Sequence, residues 1–230
     1  MLTSLVLTPS FGFGDRLGLA TPGHIAAVRG TKFAPIFAQQ SDRENARTGR
    51  TPQQVMDDAR RAVEAAQWDL PWGADADHLK TVDDLPPFVE AGYTFFTVDP
   101  GEYVDNAADR DPPDVLEQKI TGFNWDQLSA LYLNQNSEQA RGGFESESLM
   151  RAVVKYGRAI QHAAVMFNRL CQMKDDFDFE VSVDETDSPT TPLEHFFIAS
   201  RSDSRVNNDQ IESHGELAKP RADSRVLEAT

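Results

Sequence analysis

Short apolar runs alternating with amphipathic helical stretches predict an α/β fold built on a parallel sheet with crossover helices. Two further observations point the same way. Helix starts carry a cap, a proline and a capping partner in order, at Thr51-Pro52-Gln53-Gln54 and again at Thr191-Pro192-Leu193-Glu194. Polar clusters recur where apolar runs end, which is where the βα loops of a barrel carry reactive groups. The expectation is a partial TIM-type (β/α) barrel of about five βα units. It carries an acidic insertion over residues 101–146 and a disordered C-terminal tail.

The elements follow in order. A Gly-rich first segment, residues 11–19, leads into a short helix at 22–28 closed by Gly30. A second strand over 33–38 precedes the helix that Thr51 caps, whose apolar face is Val55, Ala59, Val63 and Ala66. A weaker third strand spans 72–77. Thr81 and Asp84 open the next helix, which stops at Ala91-Gly92. The run 93–98 is the clearest strand, ended by Asp99-Pro100-Gly101. The insertion, with Asp109-Arg-Asp-Pro-Pro-Asp114, is expected to hold one short helix over 125–133. Leu149, Val153, Tyr156, Ile160, Ala163, Phe167 and Leu170 then mark the longest helix by steps of four and three. Residues 177–183 form the fifth strand, and Pro192 begins the sixth helix. The first domain is expected to cover residues 1–200. From residue 201 the apolar periodicity is lost, and that tail reads as a solvated extension or an out-of-frame read-through. A complete eight-fold barrel needs about 250 residues, so the chain is expected to be unfinished.

Composition excludes several classes. The 230 residues are 40% apolar, enough to bury a core, so wholesale disorder is ruled out. No apolar run approaches the roughly 20 residues of a membrane helix, and the N-terminus lacks the basic end of a secretory signal. A single cysteine, Cys171, excludes an internal disulfide and a cysteine metal cage, and fits a reducing, cytoplasmic compartment. The formal charge of −15, with no basic patch, disfavours nucleic acid. It leaves room for a small anionic substrate held by one or two local cations. An unpaired parallel edge is expected to promote self-association into a homo-oligomer.

Three stretches carry potential chemistry. Phe11-Gly-Phe-Gly-Asp-Arg-Leu-Gly18 fails the dinucleotide fingerprint, because Leu17 stands where its last glycine belongs. Its glycines let backbone approach a ligand, with Arg16 free to clamp a carboxylate or to form a structural pair with Asp15. His24, at a helix start, reads as a cap neighbour. In Gly73-Ala-Asp-Ala-Asp-His78-Leu-Lys80, Asp75 and Asp77 share a strand face, with His78 and Lys80 beyond. That set suits metal or sugar-hydroxyl binding, or else a charged loop in which Asp77 caps the next helix. The richest stretch runs from Val183 through Asp184, Glu185 and Asp187 to His195. Alternation puts Glu180, Ser182 and Asp184 on one polar face, and crowded carboxylates there call for a cation. Glu194 is assigned to the capping box with Thr191. His162 lies opposite the long helix's stripe and is expected to be solvated, and Cys171 reads as a boundary residue.

Phe11-Gly-Phe-Gly-Asp-Arg-Leu-Gly-Leu-Ala-Thr-Pro-Gly-His-Ile25 also resembles the opening motif of the tagaturonate epimerase family. Arg47-Thr-Gly-Arg-Thr-Pro-Gln-Gln-Val-Met-Asp57, the 73–80 stretch and the 183–195 stretch resemble it as well, in order, over about residues 10–199. The resemblance implies a metal-dependent isomerase of hexuronate breakdown that interconverts tagaturonate and fructuronate, with a divalent cation (Zn, Mn, Co or Ni) as cofactor. Family members are considerably longer at both ends, and beyond Ser200 no likeness is expected. By position and chemistry, Glu185 and Asp187 are assigned as catalytic, Arg16, Lys80 and His78 as substrate-binding, and Asp184 and His195 as metal ligands. As a truncated form, this chain is expected to be weakly active or inactive. The alternatives are a metal-dependent sugar-acid aldolase or ketol isomerase using the same carboxylates, and a non-catalytic fragment.

Overall fold

A computed structural model describes residues 1–133, 143–183, 186–202 and 226–228. Its strands are β1 (Ser10–Gly14), β2 (Ala34–Ser41), β3 (Asp75–Leu79), β4 (Phe95–Val98), β5 (Asp178–Val181) and β6 (Val226–Glu228). All pair in parallel, in sequence order. The helices are α1 (Thr21–Val28), α2 (Asp42–Thr48), α3 (Pro52–Ala65), α4 (Leu85–Ala91), α5 (Pro113–Ile120), α6 (Trp125–Tyr132), α7 (Ser146–Cys171) and α8 (Pro192–Ser202). The α/β class and the parallel sheet are as expected. The sheet is open, so the barrel of the sequence reading is not a closed one here.

Each strand divides its residues by parity. Phe37, Ala76, Phe96 and Phe179 face the helices and join the main core with Val55, Leu85, Leu149 and Phe167. Ile36 and Phe95 face the other way and pack with Leu5 in a small second cluster. The N-terminal segment supplies that floor. Thr3 N donates to the Trp72 carbonyl at 3.0 Å, and Trp72 N to that of Met1 at 3.1 Å. Leu5 N and Val6 N both donate to the buried carboxyl of Asp178, at 2.6 and 3.0 Å. Burial raises the Asp178 carboxyl above its usual value, against the pull of these two donors.

Local signals explain the helix ends. Thr51 and Gln54 close a reciprocal capping box at α3, with Pro52 in the first turn. Thr191 and Glu194 do the same at α8, with Thr191 N 2.7 Å from Glu194 Oε2. The α7 stripe read from the sequence is buried throughout. Four expectations are corrected. Strand three begins at Asp75, with Trp72 and Gly73 making only isolated bridges. Helix α2 was missed because only Asn45 of its seven residues is buried, leaving no apolar periodicity; Ser41 caps it and left-handed Gly49 ends it. The insertion holds α5 as well as α6, since Leu116 and Ile120 give too short a stripe to stand out from its acidic surroundings. The tail is not wholly disordered, because α8 runs to Ser202 and residues 226–228 pair with β5.

Replacing Asp178 with alanine orphans two backbone donors beneath the sheet. Asp178→Ala is expected to lower stability to urea by about 2–4 kcal/mol. Asp176→Ala, which loses only an exposed contact to Ser4 Oγ, is expected to cost under about 1 kcal/mol.

Candidate active site

The C-terminal ends of β1 to β5 gather polar side chains on the face turned away from the helices. Asp75, 1% exposed, accepts from Gln39 Nε2 and from Thr97 Oγ1, each at 3.1 Å. Three adjacent strands therefore meet at one carboxyl group. Burial, then the nearby charges of Asp77 and Glu180, push its pKa well above the ordinary 3.8, and the two hydrogen bonds do not offset them. A hydroxyl serves as donor or acceptor, so a proton on Oδ1 is accommodated by Thr97. Asp75 is thus a buried carboxyl beneath the sheet's mouth that holds its proton to higher pH than an ordinary aspartate.

Above it lies a cleft of about 700 Å³ lined by Gly14, Asp15, Arg16, Gln39, Gln40, Glu44 and Asp77, among others. Its β1–α1 wall is held rigidly. Asp15 accepts from Leu19 N, Ala20 N, Thr21 N and Thr21 Oγ1 at 2.8–3.0 Å. Burial alone raises the Asp15 carboxyl; the donors, led by Thr21, outweigh it and hold it below 3.8. Arg50 Nη1 donates to the Asp15 carbonyl at 2.8 Å and pairs with Asp58. Gly18 is left-handed, and a Cβ there would collide with the Asp58 carboxylate. Asp15 therefore serves the loop and not Arg16. Arg16 stands at the rim, its side chain 69% exposed, paired with Glu44 from α2.

β3 contributes the other rim. It gains one residue against β4 between Ala76 and Leu79, and His78 takes a left-handed backbone with φ of 53°. That left-handed region is reached at low cost by glycine, asparagine, aspartate and histidine, and at higher cost by other residues. Asp77 Oδ1 is 2.8 Å from His78 Nδ1, so Asp77 orients the imidazole and does not cap the next helix. That role falls to Thr81, with Asp84 closing the capping box by accepting from Thr81 N and also from Lys80 N. Lys80 Nζ lies 3.2 Å from Asp99 Oδ2, a buried carboxylate at the end of β4. His162 is not simply solvated: its Nε2 sits 2.7 Å from the Lys80 carbonyl, and its ring stacks on Tyr103 at 4.0 Å.

The structure thus brings Arg16 and Asp77 to one cleft, with His78 and Lys80 on the same strand end. Asp187 and His195 are not among the residues lining that cleft. Asp187 is exposed, with its N–H donating to Asn106 Oδ1 at 3.1 Å. His195 lies half-buried in the first turn of α8. Asp184 and Glu185 lie outside the described residues. Among the described residues, no three His, Cys, Asp or Glu side chains converge to hold a metal ion. The reading missed Gln39, Thr97, Glu44 and Asp99. Gln39 and Asp99 each follow an apolar run, a signal that the strand-end argument could have used.

A model of the UxaE family, described as tagaturonate epimerase, matches residues 3–213. The chain belongs to the tagaturonate epimerase family. The match starts before Phe11 and runs past Ser200, correcting the expected limit of the likeness. A curated relative from Thermotoga maritima, named tagaturonate/fructuronate epimerase, is 41% identical over 194 residues, covering 84% of this chain and 40% of the relative. Two crystal structures of fructuronate-tagaturonate epimerase UxaE from Cohnella laeviribosi are also similar, one native and one complexed with one glycerol. Each gives a TM-score of 0.81 at 36% identity, over 87% of this chain and 42% of theirs. The chain spans about two fifths of the length of these tagaturonate epimerase relatives. No helix among the described residues is long and apolar enough to cross a membrane.

A group that keeps its proton in the fold and loses it on unfolding makes stability fall as pH rises. For Asp75 the window opens at the unfolded value near 3.8 and extends up to its raised native value. Asp75→Asn, which imitates the neutral acid, is expected to be the more stable chain at pH 8. Its advantage should widen across the window by up to about 1.4 kcal/mol per pH unit. Urea titrations at pH 5 and pH 8 measure this; an equal gap at both would contradict a protonated Asp75.

Proposed function

We propose that the chain acts in the interconversion of tagaturonate and fructuronate, the reaction for which its relatives are named, on βα units of (β/α)-barrel type. The observation that carries this reading is the meeting of Gln39, Asp75 and Thr97 beneath a cleft whose rim holds Arg16. Arg16 already engages a carboxylate, that of Glu44, which is the group a hexuronate presents.

The two sugar acids differ at a carbon one removed from the ketone, so direct enolisation does not acidify its hydrogen. Retro-aldol cleavage circumvents this. A carboxylate takes the proton of the hydroxyl on the epimerised carbon, and that carbon becomes an aldehyde as the bond to its neighbour breaks. The electron pair passes to the ketone oxygen as an enediolate. Rotation of the aldehyde and re-addition remake the same bond on the opposite face, and the proton returns to the new alkoxide. Glu185 or Asp187 is the proposed base, and Arg16 or Lys80 holds the substrate carboxylate, with His78 beside a hydroxyl. Asp75, whose burial raises its pKa, underlies the cleft and orients Gln39 and Thr97. A divalent cation belongs to the proposal, with Asp184 and His195 as its holders, and when bound it supplies Lewis-acid stabilisation of the enediolate. The described residues alone assemble no ligand set for it, and the proton transfers rest on the chain's own side chains.

Substrate deuterated at the epimerised carbon is expected to keep its label through turnover in water, as read by NMR. Wash-out to solvent hydrogen would exclude the retro-aldol route, and release of two three-carbon fragments would indicate an aldolase instead. Arg16→Gln is expected to raise KM about tenfold or more with a smaller change in kcat, the signature of lost carboxylate binding. An unchanged KM would remove Arg16 from the site.

A further inference from the structure

Lys155 stands in the middle of α7 and is 1% exposed, although the helix's apolar stripe surrounds it. Its Nζ lies 2.9 Å from Asp109 Oδ2, 2.9 Å from Ser188 Oγ and 3.4 Å from Glu194 Oε1. Ser188 Oγ in turn donates to Asp109 Oδ2 at 2.5 Å. The three partners come from three separate segments: the turn Asn106–Asp109 of the insertion, the β5–α8 connection, and the first turn of α8. Taking an ammonium out of water costs several kcal/mol unless its partners are in place. An aliphatic residue would fill the same space without that demand, so the lysine makes the arrangement of all three segments conditional on one another.

Neighbouring contacts run between the same segments. Asp187 N donates to Asn106 Oδ1, Thr186 Oγ1 to the Ser188 carbonyl at 2.7 Å, and Tyr156 Oη pairs with Thr190 Oγ1 at 3.1 Å. Burial favours a neutral Lys155, but Asp109 and Glu194 outweigh it and raise its pKa, so it stays charged. Burial likewise acts to raise the Asp109 carboxyl, and the Ser188 and Lys155 hydrogen bonds reverse this and lower it. A charged lysine is no base for Ser188, which sets aside a nucleophilic serine here.

We propose that Lys155 is a positioning residue: through Ser188, Asp109 and Glu194 it fixes residues 186–194, which carry Asp187 and lead into His195, against the acidic insertion. What that segment does chemically rests on the proposed function; that Lys155 fixes it does not. Ser188→Ala removes the tether while leaving both ion pairs of Lys155, and so isolates the role from the fold.

Hydrogen exchange by mass spectrometry on the full chain tests this. In Ser188→Ala, peptides spanning 186–191 and 105–111 are expected to exchange about tenfold faster, the factor one charge-assisted hydrogen bond gives. Peptides from β1 to β4 should be unchanged. Lys155→Met should show the same pattern more strongly, and if it unfolds, Ser188→Ala alone decides. Ser188→Thr should restore protection. Unchanged exchange at 186–191 in Ser188→Ala overturns the proposal, as does a uniform loss of protection across the sheet. With tagaturonate as substrate, Ser188→Ala should lower kcat about tenfold and leave KM within about twofold. A wild-type chain without turnover refutes the proposed function and leaves the exchange criterion for Lys155 standing.

Discussion

A carboxyl group taken out of water must keep its proton, be ringed by donors, or meet a cation. This chain uses all three solutions, and its layout follows from where each applies. Asp178 anchors the N-terminal segment beneath the sheet through two backbone N–H groups. Asp75, buried and crowded by Asp77 and Glu180, is pushed toward its protonated form at the upper end. Asp109 and Glu194, on the helical side, share a buried ammonium. Leu5, Ile36 and Phe95 pack as a small apolar floor beneath the sheet, and the cleft beside Arg16 lies at the opposite, upper end.

Much of this was legible from residue order. The capping boxes at Thr51 and Thr191 and the α7 stripe are local patterns, fixed by helical geometry within a few residues. Strand alternation correctly set Glu180 and Ser182 against Val181 and Val183, of which both valines joined the core. Partners were not legible. Nothing local tells that Arg16 meets Glu44 and not Asp15, or that Lys80 meets Asp99, because these contacts depend on how neighbouring strand ends align. Lys155 was missed for a related reason: in a helical pattern a lysine reads as solvated, and only the convergence of residues 109, 188 and 194 makes it an interior residue.

The insertion also changes character once folded. Asp105 and Asp111 of this acidic stretch both pair with Lys119, and Arg151 of α7 donates to the carbonyls of Ala108 and Asp111. It is a brace laid along α7, linking the long helix to the segment that follows β5.

The left-handed backbone at His78 restricts what any sequence can place there. Only glycine, asparagine, aspartate and histidine take up that geometry at low cost. A saturation library at this codon would therefore return a short list for conformational reasons alone. Asparagine, tolerated by the backbone yet lacking an imidazole, is the replacement from which the ring's own contribution can be read.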